Sequence, residues 1–302
     1  MRERLRSACR STGRPTNTVP ARAIDRLIPE LAQAETLPGL PPVVDVLRRP
    51  PPNPPEAVQT AFVGSSYMDA YTEAATFVHV ADTWLERHRG RRLADARLVL
   101  DFGSGWGRIS RLLLAHVPPR ALYALDVDIE MTALVGSTLP GVNALTVAPL
   151  PPTVLRNGIA DAVLGFSVFS HLSPGAHAAW AAEFGRLSAP GAMAVVTLLD
   201  EGFFHQVESA KKAVARGRDD GFTTALADCL PDLSDARARY KAGEPVFAAV
   251  GGGGPRAAEF YGWAVVPPGF VRKAWAHGGF EVVEWVRSGV LFPQVMLGLV
   301  RR

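Results

Sequence analysis

Residues Leu98 to Leu114, read as LVLDFGSGWGRISRLLL, hold the densest chemical signal in this chain. An apolar run, Leu98-Val99-Leu100, ends in an acid, Asp101. Gly103, Gly105 and Gly107 follow at alternate positions, and an apolar-periodic segment begins after them. A short buried strand feeding a glycine turn and a helix is the corner of a doubly wound sheet where phosphates and nucleosides bind. Glycines without Cβ let the backbone approach such a ligand closely. The spacing argues against a dinucleotide, because G-x-G-x-x-G needs its third glycine at position 108, where Arg108 stands. A second acid, Asp126, ends the run Leu122-Tyr123-Ala124-Leu125. A carboxylate at that strand end can accept two hydrogen bonds from a ribose. Asp128 competes for the role, and register favours Asp126. Further on, Asp161 to Leu172 reads DAVLGFSVFSHL and contains His171, a residue type able to take a proton near pH 7. The competing reading of His171 is a helix-start residue packed under the sheet.

Alternating elements must position these residues. Tyr67 to His88 is a helix by the three- and four-residue recurrence of Tyr71, Ala74, Ala75, Val78, Ala81, Trp84 and Leu85. After the glycine turn, strands are expected at 121–125, 144–147, 160–166 and 192–199, with helices at 129–137 and 177–187 and a turn at Pro190-Gly191. The βα alternation implies an α/β protein with a parallel sheet. Residues Asp200 to Val265 show no simple pattern. A helix at 269–277 and strands at 280–286 and 295–300 end the chain.

Length and composition set the frame. The 302 residues, 48% apolar and 20% charged, suit one large globular domain with an elaborated insertion. Residues 1–26 carry seven arginines against Glu3 and Asp25, so the remainder bears a net −2 of the total +3. A body without excess positive charge disfavours nucleic acid as a partner. Arg49-Pro50-Pro51-Pro52-Asn53-Pro54-Pro55 excludes helix and central strand. Residues 1–60 are therefore read as a basic, Pro-rich extension that includes a short helix at Ile24 to Ala34, and 61–302 as the folded domain. Two cysteines, Cys9 and Cys229, make neither a disulfide framework nor a zinc site. No apolar stretch has the length of a membrane span, and a cytoplasmic location is expected.

The D-x-G-x-G-x-G pattern from Asp101 to Gly107 resembles motif I of the class I S-adenosylmethionine (SAM) dependent methyltransferases. The element order from about residue 62 onward is similar to that family as well. The resemblance implies a Rossmann-like fold, doubly wound around a mostly parallel seven-stranded sheet, with a cap insertion at 200–265 after the fifth strand. It implies SAM as cofactor, held by Asp101, Gly103, Gly105 and Gly107, with Asp126 on the ribose and Val127 against adenine. Asp101 would face the ammonium end. The segment around Phe166 and Ser167 resembles motif IV of small-molecule methyltransferases, so both residues are expected beside the methyl donor and His171 as the catalytic candidate. The chain departs from many relatives after the third strand, where Val147 to Pro152 offers no acid or amide for adenine. Backbone groups of Ala148 and Leu150 are the substitutes.

The acceptor is expected to be a small molecule methylated on O or N, recognised by His205, Tyr261 and Trp263 in the insertion. Tyr67 and Tyr71 are candidates to close over the cofactor. Asp200, Glu201 and His205 make a weak metal set, and no metal is expected. Two other readings compete: a nicotinamide oxidoreductase, disfavoured by Arg108, and a non-catalytic SAM-binding module, kept open by the missing adenine-side acid.

Overall fold

The computed structural model describes residues 53–63, 66–218 and 220–302. The arginine-rich leader, with the helix expected at 24–34 and Cys9, lies outside the described residues. The chain divides into two compact units, one ending at Val147 and one running from Ala148 to Arg302.

The first unit opens with helices α1 (Glu56–Val63) and α2 (Tyr67–Arg89). The expected domain boundary at residue 60 falls inside α1. Gln59 is fully buried, donating to the Pro54 carbonyl at 2.9 Å and accepting the Tyr67 amide at 2.9 Å, so folded structure begins upstream of that boundary. Helix α2 ends at Gly90, whose left-handed φ of 61° brings its N–H to the Glu86 carbonyl. Arg87, His88 and Arg89 in the last turn complement the helix dipole. Strands β1 (Val99–Phe102), β2 (Leu122–Asp126) and β3 (Asn143–Thr146) pair in parallel, with Val99 opposite Leu122 and Asp126 opposite Thr146. Helix α3 (Arg108–Leu113) follows β1, and α4 (Ile129–Thr138) follows β2.

In the second unit β4 (Ala160–Gly165) and β5 (Ser188–Leu198) are parallel and almost wholly buried, as apolar runs covered on both faces must be. Helix α5 (Pro174–Leu187) joins them, capped by the Ser173 hydroxyl and begun by proline. The turn expected at Pro190-Gly191 lies instead inside β5. Pairing jumps from Ala160–Ser188 to Ala162–Met193, and the irregularity absorbs the proline and Gly191 at φ 79°. Helix α6 (Gly202–Ala215), α7 (Gly221–Asp228), α8 (Leu233–Lys241) and the antiparallel pair β6 (Val246–Ala248) and β7 (Trp263–Val265) fill the segment that lacked a pattern. They share an apolar core that includes Phe203, Phe204, Val207, Leu226, Val246 and Val265. Asp220 caps α7 by accepting the Thr223 amide. Helix α9 (Pro268–His277) leads to β8 (Phe280–Val286) and β9 (Val295–Arg301), antiparallel to each other.

The strand order is β3-β2-β1-β4-β5-β9-β8, and β9 is the reversed strand. This is the mostly parallel seven-stranded sheet with flanking helices that the sequence implied.

Candidate functional site

In the first unit the glycine turn wraps the carboxyl end of β2. All three glycines are left-handed, at φ 69° for Gly103, 51° for Gly105 and 85° for Gly107. The amides of Gly103 and Ser104 donate to the Leu125 carbonyl at 2.8 and 3.0 Å. The Gly105 amide donates to Asp126 Oδ2 at 2.8 Å, while Asp126 Oδ1 accepts the Asp128 amide at 2.9 Å. Asp128 itself caps α4 through the Glu130 amide. The two acids that competed in the sequence thus hold different positions: Asp126 faces the glycine turn, and Asp128 serves a helix.

The glycines also differ. A Cβ on Gly105 would meet nothing within 4 Å, so this turn leaves open space at its tip. A Cβ on Gly107 would lie 3.0 Å from Arg111, 3.1 Å from Val135 and 3.2 Å from Leu139. Close packing of α4 is therefore a sufficient reason for glycine at 107.

Asp101 is buried and accepts the Ser110 hydroxyl at 2.5 Å. Burial pushes its carboxyl up to about 7; the Ser110 bond opposes this and the charge of Asp126 adds to it. Arg108, which excluded the dinucleotide fingerprint, is buried and ties α3 to α2 through the Ala70 carbonyl at 2.9 Å and Glu73 at 2.7 Å. Val127 is half-buried beside these acids in sequence.

In the second unit Ser167, two residues past β4, has φ 58°, a rare conformation for a residue with a side chain. A closed ring of hydrogen bonds holds it. The Ser167 amide donates to Thr197 Oγ1 at 2.7 Å, Thr197 Oγ1 to Gln294 Oε1 at 2.6 Å, and Gln294 Nε2 to Ser167 Oγ at 2.8 Å. The opposite setting of the Gln294 amide would strand the Thr197 proton in a fully buried site. Neighbouring Phe166 packs edge-on against Phe292, with centroids 5.2 Å apart. Thr197 and Gln294 were not singled out in the sequence, where they lie 30 and 127 residues from Ser167.

His171, Tyr261 and Trp263 come together. Main-chain bonds pair the two segments: Gly262 N–H to the His171 carbonyl at 2.8 Å, Ala264 N–H to Ser170 at 2.9 Å, and Ser173 N–H to Phe260 at 2.8 Å. The His171 ring stacks on Tyr261 at 4.8 Å with 9° between planes, and Trp263 lies tilted at 4.9 Å. His171 Nδ1 is 2.8 Å from the Gly262 carbonyl. A carbonyl only accepts, so Nδ1 carries the proton and Nε2 the lone pair. Burial pushes this imidazole down to about 4, against the pull of the Gly262 bond and with the help of Arg256, so it is neutral at pH 7. Trp263 also stacks on Phe203 at 5.2 Å. His205 stands exposed on α6 and makes none of these contacts. Leu150, an expected adenine contact, is half-exposed.

Among the described residues no group of three or more His, Cys, Asp or Glu side chains is arranged to hold a metal. Asp200 is engaged by the Gly202 amide and the Ser288 hydroxyl. No described helix is long and apolar enough to cross a membrane.

No known family's sequence profile matches the chain, and no curated protein matches it. Solved structures do. Magnesium protoporphyrin IX methyltransferase (ChlM) from Synechocystis PCC 6803, with bound S-adenosylhomocysteine (SAH), superposes with a TM-score of 0.50 at 15% identity, over 82% of this chain and 94% of that one. The 1,6-didemethyltoxoflavin-N1-methyltransferase of Burkholderia thailandensis is also similar, with a TM-score of 0.47 at 16% identity, over 85% and 88% of the two chains. The likeness is one of fold. The chain has the Rossmann-like fold of the class I methyltransferases.

Proposed function

We propose that this protein is a SAM-dependent methyltransferase acting on an oxygen or nitrogen atom of a small molecule. The observation that carries the reading is the Gly105–Asp126 pair, an open glycine turn whose amide is held by the acid at the end of β2. The residues of the first unit fit the cofactor. Asp126 accepts from ribose hydroxyls, Gly103 and Gly105 let the backbone approach, and Val127 packs against adenine. Asp101, buried without a full countercharge and so pushed towards neutrality, suits the ammonium of the methionine end. Gly107 belongs to the same turn, and the close packing around its Cα is a further reason for glycine there. The bound cofactor supplies a sulfonium methyl, an electrophile that needs no metal.

In the second unit His171, Tyr261 and Trp263 form the acceptor side. His171 presents a neutral Nε2 lone pair, fixed in tautomer by Gly262, to take the acceptor's proton. The aromatic faces of Tyr261 and Trp263 give the acceptor an apolar surface beside that lone pair. The insertion from α6 to β7 acts as the cap over this side. Phe166 and Ser167 remain assigned to the cofactor by resemblance.

Calorimetric titration with SAM, with NADH as control, tests the assignment. Saturable SAM binding without NADH binding supports it, and a screen of small-molecule acceptors by SAH release then finds the substrate class. No heat with SAM overturns it, and NADH binding restores the oxidoreductase reading.

A further inference from the structure

Two ring nitrogens of the second unit are left without a protein partner. His171 Nδ1 is spent on the Gly262 carbonyl, and its Nε2 makes no hydrogen bond among the described residues. The indole Nε1 of Trp263 makes none either. Neither atom is sealed from solvent, unlike the unpaired Nδ1 of the wholly buried His177. The His171 Nε2 only accepts and the Trp263 Nε1 only donates. The two ring centres stand 4.9 Å apart. One ligand with a donor and an acceptor on neighbouring atoms reaches both, at hydrogen-bond lengths of about 2.9 Å.

The surroundings are ring carbon. Tyr261 stacks on His171, and Phe203 lies against Trp263 at 5.2 Å with 30° between planes. Phe222, in the first turn of α7, stands edge-on to Trp263 at 6.4 Å and is itself 65% exposed. A Cβ on Gly252 would come within 2.7 Å of Tyr261 Cε1, so glycine at that position lets its loop close against this ring. Such faces suit a flat aromatic ligand, which would cover Phe222. A sugar, with a hydroxyl on most of its carbons, would set many of them unpaired against these rings. An amine would arrive as a cation, yet the charge that acts on the His171 imidazole is that of Arg256, and no carboxylate acts on it. A phenol is neutral at pH 7 and releases its proton near about 10, far more readily than an ordinary alcohol.

We infer that His171, Trp263 and Phe222 form an acceptor subsite for a catechol-type phenol, with the reacting hydroxyl on His171 Nε2, the neighbouring oxygen on Trp263 Nε1 and the ring against Phe222. This rests on the methyltransferase reading above and narrows its acceptor to an aromatic oxygen. In the transfer the hydroxyl proton passes to His171 Nε2 and the oxygen bonds to the methyl carbon. The electrons of the broken carbon–sulfur bond stay on sulfur, which leaves as the neutral thioether of SAH.

The test titrates the full chain, with and without SAM, by calorimetry and tryptophan fluorescence. The probes are 2,3-dihydroxynaphthalene and trans-1,2-cyclohexanediol, which has neighbouring oxygens but no aromatic face. Only the first is expected to bind saturably. Trp263→Phe keeps a ring and removes the donor. It should weaken 2,3-dihydroxynaphthalene about fivefold and leave 2-naphthol, which has one oxygen, within about twofold. Phe222→Ala, at an exposed position, should weaken both naphthols about threefold and serves if the first variant fails to fold. With SAM bound, a monomethyl ether and SAH are expected in equal amounts. No binding of 2,3-dihydroxynaphthalene in either condition, equal binding of the saturated diol, or an equal effect of Trp263→Phe on the two naphthols overturns the subsite, while SAM binding keeps the cofactor assignment standing. Binding to the SAM-loaded chain without ether formation overturns the placement of the hydroxyl on His171. Selective binding by a chain that takes up no SAM upholds the aromatic subsite and overturns the methyltransferase reading.

Discussion

Asp126 clasps Gly105: one carboxylate oxygen holds the glycine amide at 2.8 Å while the other holds the amide of Asp128. The acid therefore shapes the turn before any ligand arrives. Asp126→Ala removes charged hydrogen bonds worth about 1.5–3 kcal/mol, so SAM affinity should fall roughly 10- to 150-fold. Titration calorimetry reads this directly. Unchanged affinity would move the ribose contact to Asp128.

Gly105 and Gly107 should part company on substitution. Gly107→Ala forces a methyl group against Arg111, Val135 and Leu139, and the melting midpoint should drop by the equivalent of about 1–3 kcal/mol. At Gly105 an added Cβ meets no atom within 4 Å, so Gly105→Val pays mainly for its left-handed φ. The variant should stay folded yet lose SAM binding. Circular dichroism melts with and without SAM separate the two cases.

Asp101 predicts a pH signature. Its folded carboxyl is raised to about 7 from an ordinary value of 3.8, first by burial. The folded chain therefore binds a proton that the unfolded chain has released between about pH 4 and 7, and stability from this group declines as pH rises through that window. Binding a cation beside it favours the ionised form, so SAM affinity should strengthen from pH 6 to 8. Asp101→Asn should flatten both trends. His171 and His177 act oppositely: burial depresses them to about 4 and about 3, so stability present above pH 6.5 is lost as pH falls below it. Melting curves taken across pH 4 to 8 resolve the two slopes.

Ser167 offers a test of strain. Ser167→Gly and Ser167→Ala both lose the bond from Gln294, but only glycine relaxes the φ of 58°. The glycine variant should be the more stable by about 1 kcal/mol. Equal stability would show that the ring, not the conformation, dominates.

Trimming the leader should have a sharp edge. Removing residues 1–52 should leave the melting midpoint unchanged. Removing 1–55 also takes Asn53, the acceptor of the Tyr71 hydroxyl, and the Pro54 carbonyl that Gln59 uses, and the midpoint should drop by the equivalent of about 1–3 kcal/mol. Melting curves of the two truncations check it.

Much of this was legible in the order of residues. Strands β1, β2 and β4 are short, mostly apolar runs with an acid or a glycine at or next to their last residue, a pattern that buried parallel strands permit. The Asp101-to-Gly107 turn announced itself because left-handed backbone selects glycine. Helix α6 had the signal too, since Phe203, Phe204, Val207 and Ala210 recur at helical spacing, but neighbouring short elements without long repeats masked it. The contacts that could not be read are those between distant segments. Nothing local marks Gln294 as the partner of Ser167, or Gly262 as the acceptor of the His171 proton. Asn53 sits among prolines that look like a linker, and only its bond to Tyr71 reveals its place.

The segment from α6 to β7 has its own apolar core, and where it returns to the chain it is stitched to residues 170–173 by amides and carbonyls. Such a seam is blind to side-chain identity. Different loops can therefore be grafted at the same attachment points, as one changes the head of a tool while keeping its handle. Residues 202–259 can therefore be exchanged as one piece while the main-chain seam at 170–173 is kept.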